Sequence, residues 1–411
     1  MRILFITVAF APNEFSESIV NSKLVLAFKA AGHQVDVISR GNIGLTYSSS
    51  WTEPWYSLEA DTSQIDYELG SKVHRIVDYL LSSIQFLYPL EGIRWIRRAY
   101  LKGEQLIQTK TYDIIMTRSP SDIPHVVGLA LKRKYKIPWI ANWNDPSNGI
   151  IPEPYKNNPN KITNYISRYF TQKELNKADF VTFPCERLRG RFVEYFDVST
   201  EKSAIIPHIG LSLINSVPKP YSYDTLTICH AGSLSEERNP EVLFRNIARI
   251  NKESGKSIIR LTIIGIADPQ IMKLIEKYSI EQEVRIIKGK SYFETLTFMA
   301  EYDILCVIEA RMKDGIYLPS KLSDYVYLKK PILCVSPSNG TLVDIINEYG
   351  GGLVVNNDLD ESVYQGLCEL LNSKKDNTLM KKFYSPKLAH YLSRYKILNE
   401  YDTIFNNLLG N

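Results

Sequence analysis

Apolar residues in this chain fall into short continuous runs, and between the runs they recur at helical spacing. Ile3 to Ala9 reads as a strand of the fully buried, parallel-sheet kind. Ser18 to Ala31 then places Val20, Leu24, Ala27, Phe28 and Ala31 on one helical face, Gly32-His33 ends that helix, and Gln34 to Ser39 supplies the next strand. This opening stretch is one βαβ unit. Asp113 to Thr117 and Ile137 to Asn142 continue the pattern on either side of an apolar helix that runs to Leu131, and Ala178 to Thr182 and Ala204 to Pro207 add two short strands. A second set follows at Leu226–Ala231, Ile258–Ile264, Val284–Ile287, Ile304–Ile308, Ile332–Val335 and Leu353–Val355. The alternation predicts an α/β protein with two doubly wound, Rossmann-like domains facing each other. Their boundaries are expected at 1–214 and 225–387, with a proline-bearing linker at 215–224. Thr46 to Gln64 reads as a long polar loop in which Trp51, Trp55 and Tyr56 either stack on sugar faces or pin the loop to its own domain.

A length of 411 residues fits two domains that each bury a core. The net charge of +4 is too weak to argue for nucleic acid, and no run interleaves aromatic and basic residues as single-strand binders do. Five scattered cysteines without a CxxC pair point to reduced core thiols and a cytoplasmic protein. Met1 to Ala11 could pass for a short secretory signal, but the loop, amphipathic helix and strand that follow favour a strand. No run approaches the ~20 apolar residues of a membrane span. Tyr79 to Leu90 is nevertheless strongly apolar, and Arg94, Arg97, Arg98 and Lys102 share a helical stripe just beyond it. Peripheral contact with an anionic membrane and a solvated basic face are the two readings of that stripe.

Candidate chemistry concentrates in the run from Glu309 to Pro331. Gly315 to Pro319 reads as a loop feeding a helix, so Ser320 and Lys321 add a hydroxyl and an ammonium to the backbone N–H groups of a helix N-terminus, which makes an anion site. Asp324, one turn on, can accept hydrogen bonds from vicinal hydroxyls such as those of a ribose. Earlier in the same half, Gly232 permits close approach of backbone to a ligand, Ser233 follows it, and Arg238 offers a forked cation to a diphosphate. In the first half, Trp143, Asn144 and Asp145 lie at the C-terminal end of a strand, where open parallel sheets bind ligands. His125 opens the helix after the preceding strand. The GxGxxG of dinucleotide enzymes is absent from the first turn, which argues against a nicotinamide dehydrogenase. No His, Asp and Glu cluster has metal-site spacing and no DxD follows a strand, so neither a metal nor another cofactor is expected.

These residues resemble the GT-B nucleotide-sugar glycosyltransferases of the family 4-like group, over nearly the whole chain. Lys330-Pro331-Ile332 and Asp324 match the end of the family's donor motif, and the PSKL helix start matches a subgroup whose lysine sits by the donor. Ile316 stands where the family's first glutamate is usual, and Glu301 and Glu309 are read as a coincidental acidic pair bracketing a strand. The resemblance implies two domains closing on a cleft, a last helix at about 388–409 crossing back onto the first domain, and retention of anomeric configuration. It further implies that Arg238 and Lys321 face the diphosphate, with Lys313 as a spare cation. Phe15 and Ser16 occupy roughly the place of the family's first-turn glycines, and the segments around His125 and Asp145-Pro146 flank the acceptor and the reacting sugar. The implied reaction moves a sugar from a nucleotide sugar to a saccharide or polyprenyl-linked acceptor in surface glycan synthesis. An inactive binding subunit and a sugar-nucleotide epimerase of the same fold are the alternatives.

Overall fold

Two parallel sheets organise the computed structural model, which describes residues 1–41, 58, 61–66, 71–88, 92–156, 161–212, 214 and 224–410. The chain divides into two units, one comprising Met1–Pro152, Lys156–Ile209 and Arg394–Asn411, the other Glu153–Tyr155 and Gly210–Ser393. Trp51, Trp55 and Tyr56, and the linker at 215–224 apart from Asp224, lie outside the described residues.

The first unit runs β1 (Arg2–Thr7), α1 (Ser16–Ala30), β2 (Gln34–Arg40), β3 (Thr62–Ile65), α2 (Lys72–Phe86), α3 (Ile93–Thr109), β4 (Ile114–Arg118), α4 (Ile123–Tyr135), β5 (Trp139–Asn142), α5 (Lys161–Lys177), β6 (Phe180–Phe183), α6 (Glu186–Tyr195) and β7 (Ser203–Ile205). Its strands lie in the order β3-β2-β1-β4-β5-β6-β7, every neighbouring pair parallel. Helices cover both faces of such a sheet, which is why Ile3, Leu4, Phe5 and Ile6 are all apolar and wholly buried. β3 corrects the expectation of a continuous loop at Thr46 to Gln64. Its sequence, TSQI, is polar because it is an edge strand and half exposed.

The second unit runs β8 (Leu226–Ala231), α7 (Glu241–Ser254), β9 (Ile259–Ile264), α8 (Pro269–Tyr278), β10 (Val284–Ile287), α9 (Tyr292–Met299), β11 (Ile304–Ile308), α10 (Lys321–Tyr327), β12 (Ile332–Ser336), α11 (Thr341–Tyr349), β13 (Gly352–Asn356), α12 (Asp360–Lys375), α13 (Leu379–Phe383) and α14 (Pro386–Tyr391). Its order, β10-β9-β8-β11-β12-β13, is that of a doubly wound dinucleotide-binding sheet. Leu243, Phe244 and Ile247 of α7 and Val363, Leu367 and Leu370 of α12 lock onto it, each large side chain stabilising by about 1.5–3 kcal/mol on full burial. The single helix expected at 388–409 is in fact two. The carbonyl of Leu392 accepts from Gly210 N–H at 2.8 Å instead of continuing the helix, and α15 (Arg394–Leu409) starts afresh and belongs to the first unit. There Tyr401 and Phe405 meet the Phe28 ring of α1 at 5.2 and 5.8 Å.

In both sheets the strand order reverses beside the first strand, between β1 and β4 and between β8 and β11. Ligands of open parallel sheets bind outside the carboxyl ends of the strands at such a point.

Candidate active site

At the switch point of the second unit, β8 is followed by Gly232, whose φ of +148° suits glycine alone. A Cβ there would lie 2.5 Å from Lys321 Nζ and 3.3 Å from His230 Nε2, so the missing side chain is the space the ammonium occupies. Lys321 opens α10, and α10 is pinned under the site by Tyr325, whose hydroxyl donates to the carbonyl of Cys306 at 3.2 Å and accepts from the N–H of Ala231 at 3.2 Å. His230 Nδ1 lies 2.9 Å from the same carbonyl, which can only accept, so Nδ1 carries the hydrogen and Nε2 is a bare acceptor. Burial, with Lys321 close by, holds His230 far below the usual imidazole range, so the ring is neutral.

Burial, reinforced by Arg238, brings Lys321 down to about 8. Burial also pushes Glu309, the first residue after β11, up to about 8, and its Oε2 has no hydrogen-bond partner among the described residues. Arg238 is exposed, donates from Nε to the Tyr155 hydroxyl at 2.9 Å, and lies 5.8 Å from that ring's centroid. Tyr155 packs edge-on against Tyr317 at 5.7 Å. Among the described residues neither Lys321 nor Arg238 forms an ion pair. Lys321 at a sharp glycine turn, with Arg238 close enough to act on it and a carboxyl that burial keeps protonated at neutral pH, makes a cradle for an anion with more than one charge. Asp324 accepts from the Tyr292 hydroxyl at 2.8 Å, which orients its carboxylate beside the same helix start. Ser320 is the residue before α10, and its side chain makes no capping bond to the helix. Ser233 is exposed directly after the glycine turn.

Gly315 is corrected from ligand contact to loop anchor. Its N–H donates to Asn339 at 2.9 Å, and its carbonyl accepts from Thr341 N–H at 2.8 Å and Thr341 Oγ1 at 3.0 Å, so both backbone groups are spent on the neighbouring loop. Ile316 is buried, an apolar plug in that loop.

At the switch point of the first unit, Arg118 ends β4 almost fully buried and spends its guanidinium on three partners. Nε donates to Asn21 Oδ1 at 2.7 Å, and the terminal nitrogens donate to the Tyr401 hydroxyl and Asn144 Oδ1, both at 3.1 Å. Asn144 in turn donates to Glu17 Oε2 at 2.7 Å and takes the Ser119 hydroxyl on its backbone N–H at 2.8 Å. Burial first and the charge of Asp145 second push Glu17 up to about 8. Asp145 is half-buried on the same edge, and Ser16 is exposed at the start of α1.

His125 and Trp143 leave this group. The Thr117 hydroxyl accepts from Trp139 Nε1 at 2.8 Å and shares a hydrogen bond with His125 Nδ1 at 2.7 Å. His125 is wholly buried, 4.2 Å from the Trp143 ring, and burial takes it down to about 3, which leaves it neutral. Trp143 is equally buried, bonded to Asp122 Oδ1 at 3.0 Å and stacked on Phe183. Both are core side chains. Arg97 and Arg98 of the expected basic stripe share one carboxylate, Asp78, at 3.0 and 2.8 Å.

Sequence reasoning missed Glu309, His230, Tyr292, Glu17 and Asn21. For Glu309 the signal was available, since a polar residue directly after a fully apolar strand of a doubly wound sheet stands at the ligand edge. Tyr155 and Tyr401 reach their sites from distant segments and left no local trace. Among the described residues no group of three or more His, Cys, Asp or Glu is placed to hold a metal ion. No helix there is long and apolar enough to cross a membrane.

Two family models match the chain, Glycosyltransferase Family 4 over residues 19–209 and Glycosyl transferases group 1 over residues 218–384. No curated protein matches by sequence. Among solved structures the chain is similar to sucrose-phosphate synthase from Thermosynechococcus elongatus, with TM-score 0.71, 14% identity, and 100% of this chain and 99% of that one covered. It is similar also to HepE from Anabaena in complex with UDP, with TM-score 0.68, 10% identity, and 99% and 100% covered. A glycosyltransferase from Rickettsia africae gives TM-score 0.64, 14% identity, and 100% and 99% covered. At such identities the likeness speaks for the fold.

Proposed function

Because the chain belongs to the family 4-like group of GT-B glycosyltransferases, we propose that it transfers a sugar from a nucleoside diphosphate donor to a saccharide or lipid-linked saccharide, with retention of configuration and without a metal. The observation that carries the donor half is Lys321, whose ammonium stands against the Gly232 turn, together with Arg238, whose charge it feels, neither in an ion pair among the described residues. On this reading they neutralise the diphosphate, Ser320 and Ser233 donate to its oxygens, and Asp324, held by Tyr292, takes the ribose hydroxyls. Glu309, protonated at neutral pH, donates to a sugar oxygen or to the bridging phosphate oxygen, and His230 Nε2 accepts from Lys321 or from the ligand. HepE was solved with UDP and with UDP-glucose, which makes UDP-sugars the first donors to try.

On the acceptor side, Arg118 and Asn144 fix Glu17, and Glu17 and Asp145 form a carboxyl pair that burial and mutual repulsion keep from ionising together at neutral pH. Asp145, whose charge helps to push Glu17 up, stabilises the cationic character of the sugar in the transition state. The departing diphosphate, held by Lys321 and Arg238, takes the acceptor hydroxyl's proton, so the C–O bond to the acceptor forms on the face the leaving group vacates. In this reading turnover is cytoplasmic and needs no other cofactor. The test is incubation with a panel of nucleotide sugars, with and without acceptor extract, scoring nucleoside diphosphate. Release that requires both the right donor and the acceptor supports the proposal. Conversion of the donor's sugar without release identifies an epimerase, and binding without either identifies an inactive subunit.

A further inference from the structure

The helix α2 is packed the wrong way round for a side chain set facing water. Its polar stripe faces the body of the first unit. Asp78 accepts from Arg97 and Arg98 of α3, Ser82 is wholly buried, and Phe86 meets the Tyr100 ring at 5.5 Å. The opposite stripe, at helical spacing, carries Val73, Ile76, Leu80 and Ile84 and ends in Leu87, exposed by 69, 60, 54, 73 and 73%. Scattered exposed apolar residues are ordinary, but a continuous stripe along the length of a helix marks a surface that something covers.

Charge identifies what covers it. Lys72 and Arg75 of α2 adjoin the stripe in sequence, next to Val73 and Ile76, and α3 adds Arg94 and Lys102, whereas Arg97 and Arg98 are taken up by Asp78 on the inward face. An apolar helix face flanked by cations is complementary to a bilayer whose headgroups are anionic. A second copy of the same face would bring like charges together around its rim, and self-association is disfavoured to that extent. We propose that α2 lies in the surface of an anionic phospholipid membrane, its apolar stripe in the acyl boundary and Lys72 and Arg75 beside it against the headgroups. None of these residues belongs to the candidate site described above, and the surface is scored without substrate, so its failure leaves the sugar-transfer reading untouched.

The experiment is co-sedimentation of the full chain with phosphatidylcholine vesicles prepared with and without phosphatidylglycerol, over a range of salt. Binding is expected on the anionic vesicles, weaker on the neutral ones, and falling as added salt shortens the screening length toward about 8 Å. The double variant Ile76→Glu/Ile84→Glu changes only exposed side chains, so its thermal transition should match the parent's while its partition onto anionic vesicles drops by about tenfold or more. Absence of binding to anionic vesicles at low salt overturns the proposal, and so does a double variant that binds like the parent. A parent that sediments as a dimer without lipid and becomes monomeric in the double variant would assign the stripe to a second copy instead.

Discussion

Replacing Lys321 by Met keeps the aliphatic stem that fills the turn at Gly232 and removes only the charge. The ammonium stands 2.5 Å from where a Cβ of residue 232 would be, forms no ion pair among the described residues, and is held down to about 8 by burial and by Arg238. A diphosphate supplies the missing counter-charge. One charge-assisted hydrogen bond is worth ~1.5 to 3 kcal/mol, so Lys321→Met should weaken nucleoside diphosphate binding by about 12- to 160-fold while leaving the bare nucleoside almost unaffected. The parent should also show a pH signature. Above pH about 8 the empty site holds neutral Lys321 and ionised Glu309, and both changes disfavour an anion. Kd should therefore be flat below pH about 8 and rise above it, by about tenfold per unit from the lysine alone, and the slope should shrink in the Met variant. Calorimetry with diphosphate and nucleoside across that range reads all of this. Equal losses for the two ligands, or a parent Kd that stays flat to about pH 10, would refute the assignment.

Asp145→Asn keeps the shape of the strand end and removes the charge beside Glu17, so kcat should fall by about a hundredfold with nucleotide affinity unchanged, as steady-state kinetics and calorimetry together would show. Turnover should survive a chelator, and loss that manganese restores would contradict the metal-free reading. His125 is neutral and buried with its folded-state value depressed to about 3, so its contribution to stability is present above pH 6.5 and is lost as pH falls from 6.5 toward 3. In the His125→Phe variant the acid limb of the stability curve should flatten, with kcat per folded molecule near the parent's.

Much of the architecture was legible because a parallel sheet covered on both faces writes its strands as continuous apolar runs, and β1, β11 and β12 do so. β3 was not, since an exposed edge strand need not be apolar, and TSQI looks like loop. The break before Arg394 depends on Gly210, far away in sequence, capturing the Leu392 carbonyl. Within the donor edge, Gly232, Arg238, Lys321 and Asp324 were readable from glycine, charge and helix-start chemistry. Gly315 was misread because the same backbone freedom serves a loop-to-loop bridge as well as a ligand. His125 and Trp143 look like site residues by type, yet the aromatic cluster with Phe183 and Phe192 draws them inward. Glu309 was set aside as part of a chance pair although it directly follows the apolar run of β11, and its burial adds to that position.

The most direct measurement is a crystal structure of the chain with a nucleoside diphosphate, UDP first. The account predicts the diphosphate on Lys321 and Arg238 over the Gly232 turn, with a ribose hydroxyl on Asp324 and Glu309 within hydrogen-bond reach of the terminal phosphate. A diphosphate bound away from Gly232, with Lys321 and Arg238 untouched, would contradict it.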